Sequence, residues 1–198
     1  MTYELLVALI VFAFASSITP GPNNMMLMAS GANFGFQRTL PHMLGVAIGF
    51  TLMVFLVGIG LMQLFDVYPM SRDILRVFSV IYMVYLAYKI STAAPPEHQT
   101  NTESKPFTFM QAVLFQWVNP KAWTMALTAI SVYSPSRAIE AITVVALVFG
   151  MVNLPTISVW VALGQQLRRI LTSTYRLRTF NITMAVLLLG SLYPVLMA

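Results

Sequence analysis

The sequence predicts an all-α integral membrane protein with about six transmembrane helices. Of its 198 residues, 58% are hydrophobic and 9% are charged, and the mean hydropathy is +0.78. A soluble domain carries about 25% charged residues, so this chain has too little charge to cover a surface in water. Since one crossing needs about 20 residues, the length accommodates about six helices in one membrane domain, residues 1–198.

Apolar stretches between polar residues locate these crossings. The first stretch contains Glu4 and has no basic segment before it, so we interpret it as a retained crossing rather than a signal peptide. The six predicted crossings are residues 3–32, 40–64, 72–91, 107–132, 138–163 and 178–197.

A polar, proline-rich linker, residues 93–106, divides the chain into two halves. Residues 1–92 and 107–198 each contain three predicted crossings, and an odd number gives the halves opposite orientations. Each half begins with a crossing that proline interrupts, and Pro22 and Pro120 lie 98 positions apart. The sequence therefore predicts two inverted three-helix repeats with broken first and fourth helices, a plan common among secondary transporters. Five crossings, with a re-entrant first or last segment, remain an alternative.

The basic residues predict the orientation of the chain. Lysine and arginine are enriched in cytoplasmic loops, and six crossings would place seven of them on one side and three on the other. The seven-charge side should be cytoplasmic, with both termini outside. The seven are Arg38, Lys89, Lys105, Arg168, Arg169, Arg176 and Arg178, and the three are Arg72, Arg76 and Arg137.

The two helix breaks supply the candidate binding residues. Proline removes a backbone donor, and a broken helix survives at membrane depth only where it is buried in protein or faces a watery cavity. The free N–H groups at the start of the following half-helix attract a carboxylate. The alternative for the first break is a simple kink or a loop. The predicted substrate-binding residues are Thr19, Pro20, Gly21, Pro22, Asn23, Asn24, Asn119, Pro120 and Lys121.

Lys121 is the one charge deep within a predicted crossing. A buried cation costs about 2.5–3.5 kcal/mol even on the most lenient scale, so its ammonium must face protein, water or substrate. It could pair with an anionic group such as an amino-acid carboxylate, extend to the interface, or cap free backbone carbonyls. The three asparagines at the breaks could satisfy broken backbone groups or bind a substrate ammonium.

Other polar residues of the crossings carry weaker signals. His42 could exchange protons, although an ordinary interfacial histidine is the favoured interpretation. Gln116 and Asn153 are polar residues within predicted crossings, whereas every acidic residue maps to an end or a loop, which leaves no obvious proton carrier. Gly45 and Gly49 are spaced for close helix packing.

Several function classes are disfavoured. The net charge of +5 comes without a nucleic-acid recognition motif, so no nucleic-acid partner is expected. Two histidines without a cysteine make a poor metal site, and no arrangement typical of an enzyme is present. We therefore expect no catalytic residue, metal or cofactor. Expected partners are membrane lipid, a small solute and, as an option, further copies of the chain.

The breaks also carry a family resemblance. The first lies in Ile18-Thr19-Pro20-Gly21-Pro22-Asn23-Asn24, and the second lies in Phe115-Gln116-Trp117-Val118-Asn119-Pro120-Lys121-Ala122. With the length, span pattern and linker, these runs resemble the family of bacterial amino-acid exporters typified by the lysine exporter and the homoserine/threonine exporters. The amino-acid sequence of the first run is most similar to the branch that includes the cysteine and O-acetylserine exporter.

This resemblance implies a multi-pass permease of the bacterial cytoplasmic membrane. Its implied activity is export of amino acids or small derivatives, driven by the proton motive force. The breaks of an inverted repeat predict that such secondary transport proceeds by alternating access. Export of another small solute and a non-transport membrane subunit are the alternatives.

Overall fold

The computed structural model describes residues 1–61, 63, 67–68, 70–93 and 105–193, with the backbone alone for Arg72. Within these ranges the chain is all α-helical and has no strand, as predicted. Most of the predicted polar linker lies outside the described residues. The eight described helices are α1 (Tyr3–Ile18), α2 (Pro22–Phe34), α3 (Phe36–Gly58), α4 (Met70–Ser91), α5 (Phe109–Val118), α6 (Pro120–Tyr133), α7 (Ile139–Leu167) and α8 (Thr174–Gly190).

Three of these helices contain a segment long and apolar enough to cross a membrane alone: Phe36–Gly58, Asp73–Ser91 and Ile139–Leu167. Helices α1 and α2 qualify together as a fourth candidate, bent by 57° at their break. Helices α5, α6 and α8 have 10, 14 and 17 residues and are shorter than a standard crossing. Six crossings and the inverted repeat therefore stay predictions.

Both predicted breaks are present, and proline explains each. Helix α1 ends at Ile18, and α2 begins with Pro22 as its first residue. Helix α5 ends at Val118, and α6 begins with Pro120 in the same position. Proline suits a first helical position because the N–H that it lacks would have no intrahelical partner there.

The long helices pack across the two halves. Helix α7 packs against α1 and α2, the two parts of the first broken helix. Helix α3 packs in the same way against α5 and α6, while α4 packs against α8. Each half therefore supports the broken helix of the other, and the two breaks are brought to one region.

Glycines permit the closest of these helix contacts. A Cβ on Gly31 would lie 2.3 Å from the Val161 carbonyl oxygen of α7. A Cβ on Gly45 of α3 would lie 2.4 Å from the Phe109 carbonyl oxygen of α5, so the predicted packing role of this glycine is confirmed. Backbone atoms have little freedom to move away, and any larger residue must therefore separate the helices.

The outer surface is apolar. Phe14, Phe78 and Met151 are more than half exposed, and many other large hydrophobic side chains also point outward. Such an extended exposed apolar surface suits lipid contact.

We expect Gly31→Ala to lower the melting temperature of the purified protein in detergent. Its methyl group would overlap the backbone of α7, and overpacking typically costs about 1–3 kcal/mol. Gly190→Ala is the matched control, because Gly190 is also helical and has nothing within 4 Å of an added Cβ. Equal melting temperatures for the two variants would contradict the close α2–α7 contact.

Candidate functional site

The carbonyl end of α1 is held by the ammonium group of Lys121. Lys121 Nζ donates to the Thr19 carbonyl oxygen at 2.6 Å and to Thr19 Oγ1 at 2.8 Å. It also lies 3.3 Å from the Pro20 carbonyl oxygen. The last carbonyls of a helix have no intrahelical partner and carry partial negative charge, so a cation at this place satisfies them. Of the three predicted interpretations of Lys121, this structure displays carbonyl capping.

Two neighbouring helices complete the cap. Asn24 Nδ2 on α2 donates to the carbonyl oxygens of Ser17 and Thr19, at 2.8 Å each. Trp160 Nε1 on α7 donates to the Ile18 carbonyl oxygen at 3.2 Å. The broken end of α1 is thus satisfied from α2, α6 and α7, which fixes where the break lies.

Gly21 provides the space for Lys121. A Cβ on Gly21 would lie 2.7 Å from Lys121 Cδ and 3.1 Å from Nζ. The lysine side chain therefore crosses directly over the glycine backbone. The extended backbone of Gly21, with φ of −177°, is open to any residue, so the requirement is for space rather than for conformation.

The second break is organised by its asparagine. Asn119 is the N-cap of α6, and its Oδ1 accepts from the Lys121 backbone N–H at 3.1 Å. An asparagine cap satisfies one of the free donors of the first helical turn. The same cap fixes the start of the helix that carries the Lys121 side chain.

A pair of side-chain amides connects the two breaks. Asn23 Nδ2 donates to Gln116 Oε1 at 2.8 Å, and Gln116 Nε2 donates to Asn23 Oδ1 at 3.2 Å. Gln116 is completely buried and also donates to the Ala112 carbonyl oxygen. Residues 93 positions apart therefore meet in a reciprocal contact between the two halves.

A small polar cavity lies between the breaks. It encloses about 330 Å³ including its mouth, and only about 20 Å³ is wide enough for the centre of a water molecule. That is room for one or two waters. The lining residues are Ser16, Ser17, Gly21, Asn23, Asn24, Phe50, Asn119, Lys121, Ala122, Met125, Asn153 and Ile157.

Two lining residues have unused hydrogen-bonding capacity. Ser17 is buried, and its Oγ has no partner among the described residues. Asn153 is 5% exposed, and its side chain makes no hydrogen bond within the described part of the chain. Buried polar groups are normally paired, so these two groups are available to a bound molecule.

The structure brings together five of the nine predicted site residues in the cavity wall: Gly21, Asn23, Asn24, Asn119 and Lys121. Pro20, Pro22 and Pro120 shape the breaks, and Thr19 accepts from Lys121, but these four do not line the cavity. Sequence reasoning did not select Ser17 or Asn153 for the site. The signal for Ser17 was its position just before the first break, and the signal for Asn153 was its position two residues before Pro155.

Other candidates lie away from the cavity. His42 is completely buried against Phe107, with ring centroids 5.1 Å apart, which contradicts an ordinary interfacial histidine. Trp123 Nε1 donates to the Trp117 carbonyl oxygen at 2.8 Å, so this pair caps the end of α5 and does not line the cavity. The described acidic residues, Glu4, Asp73 and Glu140, lie in first turns of helices.

These features define a helical multi-pass membrane protein with a polar cavity at paired helix breaks. Its family is shown by comparison with known proteins. Residues 14–191 match the family described as LysE type translocator, and the chain belongs to this family. It is thereby a translocator of the bacterial inner membrane.

Its curated relatives match along almost their whole length. The chain is 27% identical over 191 residues to the cysteine/O-acetylserine efflux protein of Escherichia coli O139:H28, covering 96% of each chain. The proteins of the same name from Escherichia coli K12 and Shigella sonnei are 27% identical over 190 residues, with 95% of each chain covered. No solved structure matches the chain.

We expect Lys121→Met to lower the melting temperature, because it leaves the carbonyls of Thr19 and Pro20 without their cation. Both carbonyls are on the exposed side of the break, where lipid offers no donor to replace the lysine. Gly21→Ala should cause a smaller loss, because its methyl group meets only the flexible end of the lysine side chain, which can shift. Lys105→Met, at an exposed position, is the matched control.

The double variant separates coupled from independent effects. If Gly21 acts by making room for Lys121, the Gly21→Ala and Lys121→Met losses will not add. Fully additive losses would show that the two residues act separately.

Proposed function

We propose that this protein exports amino acids or small amino-acid derivatives across the cytoplasmic membrane as a secondary transporter. The observation that carries the proposal is the polar cavity between two helix breaks, with the unpaired Ser17 hydroxyl and the Asn153 amide in its wall. Family membership and relatives named as cysteine/O-acetylserine efflux proteins support it.

The carboxylate of a zwitterionic substrate would bind at the start of α2. The backbone amides of Asn23 and Asn24 precede the first intrahelical bond, from Met25 N to the Gly21 carbonyl oxygen, and are free to donate. Free amides and the helix dipole together favour an anion at such an end. The Lys121 ammonium is close enough to move from the α1 carbonyls to a carboxylate held there.

The substrate ammonium requires acceptors, and the opposite wall offers them. Ser17 Oγ and the amide oxygen of Asn153 can each accept a hydrogen bond. Phe50, Met125 and Ile157 supply an apolar surface between the polar groups. A short, uncharged substrate side chain fits this composition, since no described acidic residue lies in the wall to pair with a basic one.

The narrow cavity represents a closed conformation in this proposal. An amino acid is several times larger than the one or two waters that fit, so binding requires the breaks to separate. The Asn23–Gln116 pair and the bond from Lys121 to Thr19 join the two halves and would break on opening. Rocking of inverted repeats about their broken helices gives alternating access to such a site. The reciprocal packing of α3 and α7 supports the repeat.

We expect Asn153→Leu to reduce efflux from preloaded proteoliposomes about tenfold or more, because a substrate group would lose its buried partner. The panel should include cysteine, O-acetylserine, other neutral amino acids and lysine. Ser17→Ala should act in the same direction.

Thr156→Val is the matched control on the same helix. Thr156 is buried but donates to the Val152 carbonyl oxygen of its own helix, and it does not line the cavity. Efflux should stay near the wild-type rate in this variant. Equal rates for the Asn153 and Thr156 variants, both correctly inserted, would remove Asn153 from the binding site.

Proton coupling is tested by an imposed gradient. If a proton moves inward as each substrate leaves, acidifying the outside of preloaded vesicles should accelerate efflux, and a protonophore should cancel the acceleration. Substrate exchange without a gradient should continue in both cases. Efflux that ignores the gradient while exchange persists would leave the exporter intact and exclude coupling to protons.

A further inference from the structure

Three arginines converge at one end of the helix bundle, away from the cavity at the breaks. Arg38 lies in the first turn of α3, and Arg168 and Arg169 directly follow α7. All three line one open pocket of about 1380 Å³, together with Phe34, Gly35, Phe36, Gln37 and Gln165. We call this space the arginine pocket.

Local contacts hold the two walls of the arginine pocket in place. Gln165 Oε1 on α7 accepts from the Phe36 backbone N–H at 2.8 Å, which ties the α2–α3 junction to the end of α7. The Arg38 guanidinium lies 5.5 Å from the centroid of the Phe34 ring. This cation–π contact orients the guanidinium and leaves its N–H donors available.

Among the described residues, the positive charge of the pocket has no carboxylate counterpart. No carboxylate lines it, and within the described residues the three guanidinium groups form no ion pair. The described acidic residues lie in the first turns of α1, α4 and α7. On α7 this residue is Glu140, which lies at the N-terminal end of the helix, whereas Arg168 and Arg169 follow its C-terminal end. Three guanidinium groups around one opening, without a described counter-charge, attract a multivalent oxyanion.

Helix length places the arginine pocket at the level of lipid headgroups. Helix α7 has 29 residues and is about 43 Å long at a rise of about 1.5 Å per residue. The hydrocarbon core is about 30 Å thick, so α7 is long enough for its arginine-bearing end to reach the headgroup region. Phe34 and Phe36 provide apolar contacts beside the charges, as an acyl chain requires.

We propose that the arginine pocket binds the phosphate of an anionic phospholipid in the adjacent leaflet, which is the cytoplasmic leaflet in the predicted orientation. Guanidinium groups bind phosphate oxygens in bidentate pairs, and basic pockets between membrane helices suit anionic headgroups. A phosphate shared by Arg38 and Arg168 or Arg169 would bridge the start of α3 and the end of α7. This lipid therefore stabilises the junction between the two halves.

The test measures melting temperature while delipidated protein in detergent is titrated with phosphatidylglycerol or phosphatidylcholine. A ligand that binds the folded state raises the melting temperature. Wild-type protein should be stabilised by phosphatidylglycerol more than by phosphatidylcholine. In R168Q/R169Q the phosphatidylglycerol concentration at half-effect should rise about tenfold or more, since charged hydrogen bonds are lost.

R176Q/R178Q is the matched control, because it removes the same charge from the following helix and neither residue lines the pocket. This control should respond to phosphatidylglycerol as wild type does. Equal weakening in both double variants would indicate diffuse surface attraction and overturn the proposal, as would equal stabilisation by the two lipids.

A parallel titration with sodium phosphate separates lipid from free anion. Stabilisation by millimolar phosphate that matches the lipid effect would overturn the assignment to a lipid. If R168Q/R169Q does not fold, Arg38→Gln on the opposite wall replaces it and should show weaker stabilisation by phosphatidylglycerol. Stabilisation of Arg38→Gln equal to that of wild type would also refute binding in the arginine pocket.

Discussion

The bond between the Lys121 ammonium and the carbonyl end of α1 is the contact on which the central architecture depends. A helix that stops inside a membrane exposes carbonyls that lipid cannot satisfy, and a lone cation at that depth is equally costly. The distance of 2.6 Å from Lys121 Nζ to the Thr19 carbonyl oxygen resolves both problems together. It also connects residues 102 positions apart and so fixes one half of the chain against the other.

Other features near the breaks follow from the same constraint. Gly21 is small because the lysine side chain must pass over it. Asn119 caps α6 and thereby sets the direction of the helix that carries Lys121. Asn24 and Trp160 satisfy the remaining carbonyls of the α1 end. The polar residues of the breaks thus serve the backbone first, and the cavity is the space left between them.

The sequence predicted what depends on local chemistry. Pro22 and Pro120 marked both breaks because the loss of a backbone donor acts at the residue itself. The apolar stretches also predicted the helices, because hydrophobicity is a property of the segment itself. The observed helix ends differ from the predicted ones by a few residues. The partner of Lys121 could not be predicted, since Thr19 belongs to the other half and only packing brings them together.

The unpaired residues of the cavity were hidden for a related reason. Ser17 and Asn153 look like ordinary polar residues of apolar helices. Only the finished packing leaves the Ser17 hydroxyl without a partner and brings Asn153 to the same cavity. His42 shows the converse error. Its place near the start of a crossing indicated solvent contact, whereas the packing of Phe107 against its ring excludes water.

The capped state of Lys121 also bears on how a zwitterion could be carried without an intramembrane acid. If the ammonium exchanges the α1 carbonyls for a substrate carboxylate, the cation keeps a partner throughout, and an uncompensated charge never has to be created. The released carbonyls would then face the opened, hydrated cavity, where water can replace the lysine. In this proposal, the energetic cost of opening would be coupled to the arrival of a carboxylate. A single lysine at a helix end would then serve both the stability of the closed state and the recognition of substrate.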